Sequence, residues 1–134
     1  MQIDHIGIAV TSLEDGARFY ADGLGLEKLE TEVVEDQQVR VLKLAISGVH
    51  IELLEPLTEN EGTIGKFIEK NGGRGGIHHI AYKVDDVVQM TEHMKSLGYQ
   101  ALYDAPKTGA GGLKIMFLHP KATGGVLTEL CQHI

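Results

Sequence analysis

The sequence of 134 residues contains no tryptophan and only one cysteine, Cys131. A single cysteine excludes a disulfide bond within the chain, so the fold must depend on apolar packing. Positive charge is also scarce, because 12 Lys and Arg residues stand against 19 Asp and Glu residues, for a formal net charge of −7. Such an acidic chain repels polyanions, and we therefore expect no nucleic acid partner.

Long hydrophobic runs are missing as well. The apolar stretches at 6–10 and 126–130 are far shorter than the ~20 residues that a membrane helix requires. The chain opens into Ile3-Asp4-His5-Ile6 without a basic and apolar leader. We expect no membrane partner and a cytoplasmic location. The length suits a single domain with its own hydrophobic core, covering 1–134.

An internal repeat organises this chain. A shift of 74 residues lays the run around His5 over the run around His79, and a shift of 77 lays Glu52 over Glu129. The three additional residues of the second copy fit in one turn. The two copies and the helical connector between them are predicted at about 1–56, 77–134 and 63–70.

Each copy reads as a strand, a helix and three further strands. Ser12, and either Asp85 or Asp86, are predicted to cap the two helices, which end at Gly25 and Gly98. The fold class is therefore α+β, with two tandem βαβββ modules. The predicted strands are 3–10, 28–36, 39–46, 49–55, 77–84, 99–104, 113–119 and 125–132.

Side chains alternate between the two faces of a β-strand, and in the strands of His5 and His79 the two faces differ in character. His5 shares a face with Gly7 and Ala9, whereas the branched residues between them face the other way and suit packing against a helix. His79 and Ala81 repeat the arrangement in the second copy. The small neighbours leave room beside each histidine, which indicates a pocket.

The glutamates complete the candidate site. Glu52 and Glu129 stand inside apolar runs, where an unpaired carboxylate costs several kcal/mol, on the order of usual desolvation penalties. No Lys or Arg recurs at matching places in both copies to supply that charge, so a bound cation is the expected compensation. We therefore predict that His5, Glu52, His79 and Glu129 hold one divalent metal ion. This ligand set is compatible with Co²⁺, Mn²⁺, Ni²⁺, Fe²⁺ and Zn²⁺.

The other histidines have blander interpretations. His50, His93, His119 and His133 lack a histidine at the repeat position, and we expect them to be solvated or locally bonded. His78 should point away from the face of His79. Cys131 follows Glu129 by two places and is expected in the core, since no adjacent base argues for a nucleophile.

Four motifs carry a resemblance to a known family. The arrangement of two strand–helix–three-strand copies, with a metal ligand on the first and last strand of each, resembles the vicinal oxygen chelate superfamily, which includes glyoxalase I. That resemblance implies one cup-shaped eight-stranded mixed sheet, a glyoxalase-like fold. The motifs are similar to those of methylmalonyl-CoA epimerases within the superfamily: 4–10, 51–56, 76–81 and 119–130.

The resemblance implies an isomerase. It would interconvert (R)- and (S)-methylmalonyl-CoA by α-proton transfer through a metal-stabilised enolate, with Co²⁺ or Mn²⁺ as the favoured ion. Some members carry a glutamate in the third strand where this chain has Val41, so Glu52 and Glu129 are the candidate catalytic residues, alternating between ligand and proton carrier. The alternatives are a glyoxalase I-type lactoylglutathione lyase or another metal-dependent lyase or isomerase, and a non-enzymatic binding protein of the same fold.

The implied partners are a small acyl-CoA substrate and a second copy of the chain, in a homodimer. Lys107, Lys114 and Lys121 flank the last turns and are candidate phosphate partners of CoA. The glycine-rich loop at 109–112 either offers backbone N–H groups to the substrate carboxylate or is a plain hairpin.

Overall fold

The structure, a computed structural model, describes residues 1–134. The chain folds into two compact units, which we name the N-terminal unit (His5–His78) and the C-terminal unit (Met1–Asp4 with His79–Ile134). None of the helices combines the length and apolar character needed to cross a membrane.

The N-terminal unit follows the predicted strand, helix and three strands. Within it the strand order is β2-β3-β4-β1, with β1 parallel to β4 and the other pairs antiparallel. Its helix continues into a π-helical stretch before the chain turns into β2. The elements are β1 (Gln2–Ala9), α1 (Leu13–Ala17), the π-helical Arg18–Gly23, β2 (Glu27–Val34), β3 (Val39–Ile46), β4 (Val49–Pro56) and the connector helix α2 (Gly62–Lys70).

Local sequence signals explain the ends of the first helical segment. The Ser12 side chain accepts a hydrogen bond from the Asp15 N–H at 3.1 Å, which satisfies one of the donors that a helix start leaves open. Gly25 follows the segment with a φ of +79°, a left-handed conformation that glycine adopts without a steric penalty. The predicted cap and glycine stop are both confirmed.

A two-residue turn fixes the register of β3 and β4. Ser47 and Gly48 both have positive φ, 43° and 81°, as the tight turns of hairpins require. Ile46 consequently pairs with Val49, and the ladder continues without a shift to the pair Lys43 and Glu52. Directly paired residues of an antiparallel ladder project on the same face, so this turn decides what lies beside Glu52.

The C-terminal unit repeats the pattern with a strand order of β5-β8-β7-β6. Strand β5 runs parallel to β8, and β7 is antiparallel to both β8 and β6. The elements are β5 (Gly76–Lys83), α3 (Val87–Ser96), β6 (Lys107–Thr108), β7 (Lys114–Leu118) and β8 (Thr128–Gln132). Asp86, one of the two predicted caps, accepts from the Gln89 N–H at 3.0 Å.

The strand predicted at 99–104 is wrong. Only an isolated bridge between Ala101 and Leu118 forms there, and the paired strand of this copy is the short Lys107–Thr108 instead. Pro106 explains the interruption, because proline has no N–H to donate and its fixed φ breaks a continuous ladder. Pairing with β7 resumes immediately after this proline.

Helix packing confirms the predicted division of faces. In the N-terminal unit, Leu13 of α1 packs with Leu42, Leu44 and Leu53, and Ile8 joins that core from β1. In the C-terminal unit the corresponding core contains Val84, Val87, Met116, Leu118 and Leu130. The faces that carry His5 and His79 are therefore the ones turned away from these helices.

Candidate metal centre

His5 and Glu52 meet in the N-terminal unit. The parallel register of β1 and β4 pairs Gly7 with Glu52, and alternation puts His5 on the same face. Nε2 of His5 lies 3.5 Å from Oε1 of Glu52, and the two residues are 3% and 4% exposed. The predicted burial of this carboxylate is confirmed, and an imidazole nitrogen is its neighbour.

His50 supports the same carboxylate. Its Nε2 lies 2.9 Å from Oε2 of Glu52, within hydrogen-bond distance, and its ring stacks on that of His5 with centroids 5.1 Å apart. The prediction that His50 is locally bonded is confirmed. Because each Glu52 oxygen has an imidazole beside it, the orientation of this carboxylate is fixed from two sides.

The C-terminal unit contains the matching pair. Nε2 of His79 lies 3.5 Å from Oε2 of Glu129, and the two residues are 5% and 4% exposed. Phe117 is paired with Glu129 in the ladder, and its ring meets the His79 ring edge to face with centroids 5.3 Å apart. This His–Glu pair thus has an aromatic wall where the first pair has a polar neighbourhood.

Lys43 is a component of the first face that sequence reasoning missed. It pairs directly with Glu52 across β3 and β4, and its side chain is only 11% exposed. Its Nζ lies 3.7 Å from Oε1 of Glu30, whose side chain is 63% exposed. The signal was present in the sequence, since a two-residue turn at Ser47-Gly48 dictates this pairing.

Tyr103 is a second residue that the sequence did not reveal. It packs against the cores on both sides of the C-terminal sheet, and its ring meets Phe117 edge to face. Burial, and after it the negative charge of Glu129, raises the pKa of the Tyr103 phenol above its ordinary value. The cation of Lys107 lies 4.1 Å from the centroid of the same ring.

The remaining predicted residues take structural roles. His119 Nδ1 accepts from the Lys121 N–H at 3.1 Å, and His133 Nε2 lies 2.5 Å from Oδ1 of Asp4, so both are locally bonded as expected. His93 is exposed, and His78 meets the Phe67 ring edge to face. Cys131 is fully buried in the core, as predicted.

The glycine-rich loop forms a turn in which two of the predicted N–H donors are already used. The N–H of Gly109 donates to the Leu113 carbonyl, and that of Gly112 donates to the Gly109 carbonyl. Lys107, Lys114 and Lys121 are all solvent-exposed. Their assignment to CoA phosphates stays a prediction.

A surface groove in the C-terminal unit is separate from this chemistry. It has a volume of about 770 Å³, and its walls include Lys83, Asp85, Asp86 and His93. Neither His79 nor Glu129 lines it, so the groove is not the candidate metal centre. Each unit instead contributes one imidazole and one carboxylate on a buried face, and both donor types bind first-row divalent metals.

Comparison with known proteins extends these findings. Residues 4–117 match the family described as "Glyoxalase/Bleomycin resistance protein/Dioxygenase superfamily". An ethylmalonyl-CoA/methylmalonyl-CoA epimerase from Cereibacter sphaeroides is 40% identical over 132 residues, covering 98% of this chain and 97% of the relative.

Two solved structures are similar to the whole chain. A hypothetical protein from Bacillus halodurans is 44% identical with a TM-score of 0.94, covering 99% of this chain and 94% of the other. A variant of the Streptomyces coelicolor methylmalonyl-CoA epimerase, in complex with 2-nitronate-propionyl-CoA, is 42% identical with a TM-score of 0.92, covering 98% and 96%. The predicted glyoxalase-like fold class, with eight strands of mixed direction in two βαβββ modules, is confirmed.

Proposed function

Since the chain belongs to the glyoxalase/bleomycin resistance protein/dioxygenase superfamily, we propose that it is a metal-dependent epimerase that interconverts (R)- and (S)-methylmalonyl-CoA. The observation that carries the proposal is the pair of buried His–Glu sets, one on each unit, in a chain homologous over nearly its full length to proteins named methylmalonyl-CoA epimerases.

His5, Glu52, His79 and Glu129 are the proposed ligands of one divalent ion. Two buried carboxylates carry a combined charge that a divalent cation balances, and two neutral imidazoles complete a set suited to Co²⁺ or Mn²⁺. Ni²⁺, Zn²⁺ and Fe²⁺ are compatible with the same donors. When bound, the ion would supply positive charge that stabilises an enolate oxygen of the substrate.

Glu52 and Glu129 are also the proposed proton carriers. Epimerisation removes the proton α to the thioester from one face of the substrate and returns a proton to the other, so it requires two groups on opposite sides. The two glutamates come from the last strands of the two repeats, which supplies one group per unit. Val41, which stands where some members of the family carry a glutamate, is 2% exposed and has no titratable group.

Exchange of the α proton tests the proposal. We expect the Co²⁺- or Mn²⁺-loaded protein to release deuterium from methylmalonyl-CoA labelled at the α position, and the chelator-treated protein to be inactive until metal is restored. Absence of exchange in the metal-loaded protein would overturn the epimerase assignment. Formation of lactoylglutathione from the methylglyoxal–glutathione adduct would instead support the glyoxalase I-type alternative.

The proposed acyl-CoA substrate and homodimer need separate measurements. Calorimetric titration with methylmalonyl-CoA measures the first, and sedimentation equilibrium measures the second. The cytoplasmic location stays a prediction, as does the assignment of residues 1–134 to a single domain.

A further inference from the structure

Lys43 occupies an unusual position for a lysine. It lies in the middle of β3, its side chain is 11% exposed, and it faces the same side of the ladder as Glu52. Its neighbours on that face of β3 are the apolar Val41 and Ala45. Fully or nearly buried lysines are rare unless paired, because the ammonium loses its hydration.

Glu30 compensates this charge only from the solvent side. Its carboxylate is 3.7 Å from Nζ, and its side chain is 63% exposed, so water screens the ion pair. Glu52 is the other anion opposite Lys43, but the two imidazoles of His5 and His50 already lie against its oxygens. Under the proposed function a divalent ion would neutralise Glu52 as well, which would leave positive charge on this face.

The repeat shows that the sheet does not require a lysine there. At the shift of 74 residues Lys43 corresponds to Phe117, which pairs with Glu129 as Lys43 pairs with Glu52. Phe117 packs against His79 and Tyr103. An apolar side chain thus satisfies the same ladder position in the other unit, and a buried cation at this point indicates a ligand of negative charge.

We propose that Lys43 binds the free carboxylate of the acyl-CoA substrate and thereby selects a carboxylated acyl group over a plain one. This inference rests on the proposed function and names the group that recognises its substrate. The ammonium donates a charge-assisted hydrogen bond to the carboxylate and serves as a fixed charge, while proton transfer stays with the glutamates. The exposed Glu30 side chain releases the Lys43 ammonium when the substrate carboxylate binds.

Paired ligands that differ only in the carboxylate test the proposal. Propionyl-CoA is methylmalonyl-CoA without its free carboxylate, so calorimetric titration of the Co²⁺-loaded protein with each ester isolates recognition of that group. We expect Lys43→Met to weaken binding of equilibrated methylmalonyl-CoA about 10-fold or more, and binding of propionyl-CoA less than about 2-fold, as loss of one charged hydrogen bond implies. Lys43→Arg should retain most of the preference.

Two controls make the result specific. Lys66→Met removes one exposed positive charge from α2 and should leave both affinities unchanged. Circular dichroism and metal content of each variant check that the fold and the metal site persist. Should Lys43→Met weaken both esters equally, or weaken neither, the proposal is overturned.

Measurements on the unmodified chain distinguish failure of this inference from failure of the proposed function. Deuterium release together with unchanged ester preference in Lys43→Met contradicts the role of Lys43 and leaves the epimerase assignment intact. If the unmodified chain neither exchanges the α proton nor binds either ester, the epimerase assignment fails and the role of Lys43 fails with it.

Discussion

The two units present the same His–Glu pair in different surroundings. In the N-terminal unit Glu52 has His50 at 2.9 Å and Lys43 across the ladder, both polar. In the C-terminal unit the repeat positions of these residues hold Leu127 and Phe117. The duplicated scaffold thus preserves the proposed metal donors but gives the first pair a polar wall, His50 and Lys43, and the second pair an apolar wall, Leu127 and Phe117. The residues beside the donors therefore differ between the units while the donors stay the same.

The largest expected effect comes from removing the feature that the units share. Glu52→Gln and Glu129→Gln each replace a proposed metal ligand and proton carrier with a neutral amide of similar shape. We expect each to lower turnover of methylmalonyl-CoA by about 10³-fold, a typical loss for a proton-transfer group. Turnover and metal content are measured together, and retention of both metal and near-normal turnover in both variants would contradict the assigned roles.

The apolar wall should matter most for stability. Phe117→Ala removes a buried ring that contacts His79 and Tyr103, and we expect it to lower the free energy of unfolding by about 3 kcal/mol. Lys43→Met, at the repeat position, should change that free energy by less than about 1 kcal/mol because an apolar side chain suits a buried ladder position. Urea unfolding of both variants decides the comparison, and equal losses would show that the two walls are structurally equivalent.

His50 is the residue of the polar wall that contacts the Glu52 carboxylate. His50→Leu copies the residue that the second unit has at this position, and removes the group 2.9 Å from Oε2 of Glu52. Groups that orient a ligand in this way contribute about 10-fold or more to metal affinity, so we expect a loss of about that size in a Co²⁺ titration. His93→Leu, at an exposed position, is the matched control. An unchanged affinity in His50→Leu would mean that His5 alone orients Glu52.

The smallest effect concerns Tyr103 and pH. Its pKa is raised, so in the metal-free protein its neutral form contributes stability that is complete below the ordinary tyrosine value of about 10. That contribution is lost as the pH rises from there through the folded-state pKa. Tyr103→Phe should therefore lose less stability than the parent chain on going from about one pH unit below 10 to one above. Parallel pH profiles in urea unfolding would contradict this.

A related titration separates the two causes of the raised pKa. Glu129→Gln removes the charge but leaves the burial, so tyrosinate absorbance of the metal-free variant should show Tyr103 titrating at lower pH than in the parent chain. No movement of that titration would leave burial as the sole cause.

Much of the fold follows from local signals in the sequence. Alternating runs on both sides of Ser47-Gly48 predict the β3–β4 hairpin, and the recurrence of His5 as His79 reveals the repeat. The helix caps at Ser12 and Asp86 are likewise local, because each bonds an N–H three residues ahead. Such features depend on neighbours in the chain, which a sequence displays directly.

The features that the sequence did not predict depend mainly on tertiary contacts. Residues 99–104 alternate like a strand, yet only Ala101 pairs, because Pro106 interrupts the ladder and Tyr103 turns into the core. The proximity of Tyr103 to Glu129 follows from that packing and has no short-range signal. Lys43 differs, because counting outward from the two-residue turn identifies Glu52 as its partner.

The turns before the last strands differ in how much change they can accept. The Ser47-Gly48 turn must keep its length, since one inserted residue there would shift the register and move Glu52 to the opposite face of the sheet. The chain between Leu118 and Thr128 is a longer loop that joins the paired ends of β7 and β8, with Gly124 and Gly125 in it at positive φ. An affinity tag or a circular-permutation breakpoint therefore belongs at the exposed Gly124-Gly125 tip of this second loop, where added residues leave the pairing of Phe117 with Glu129 in place.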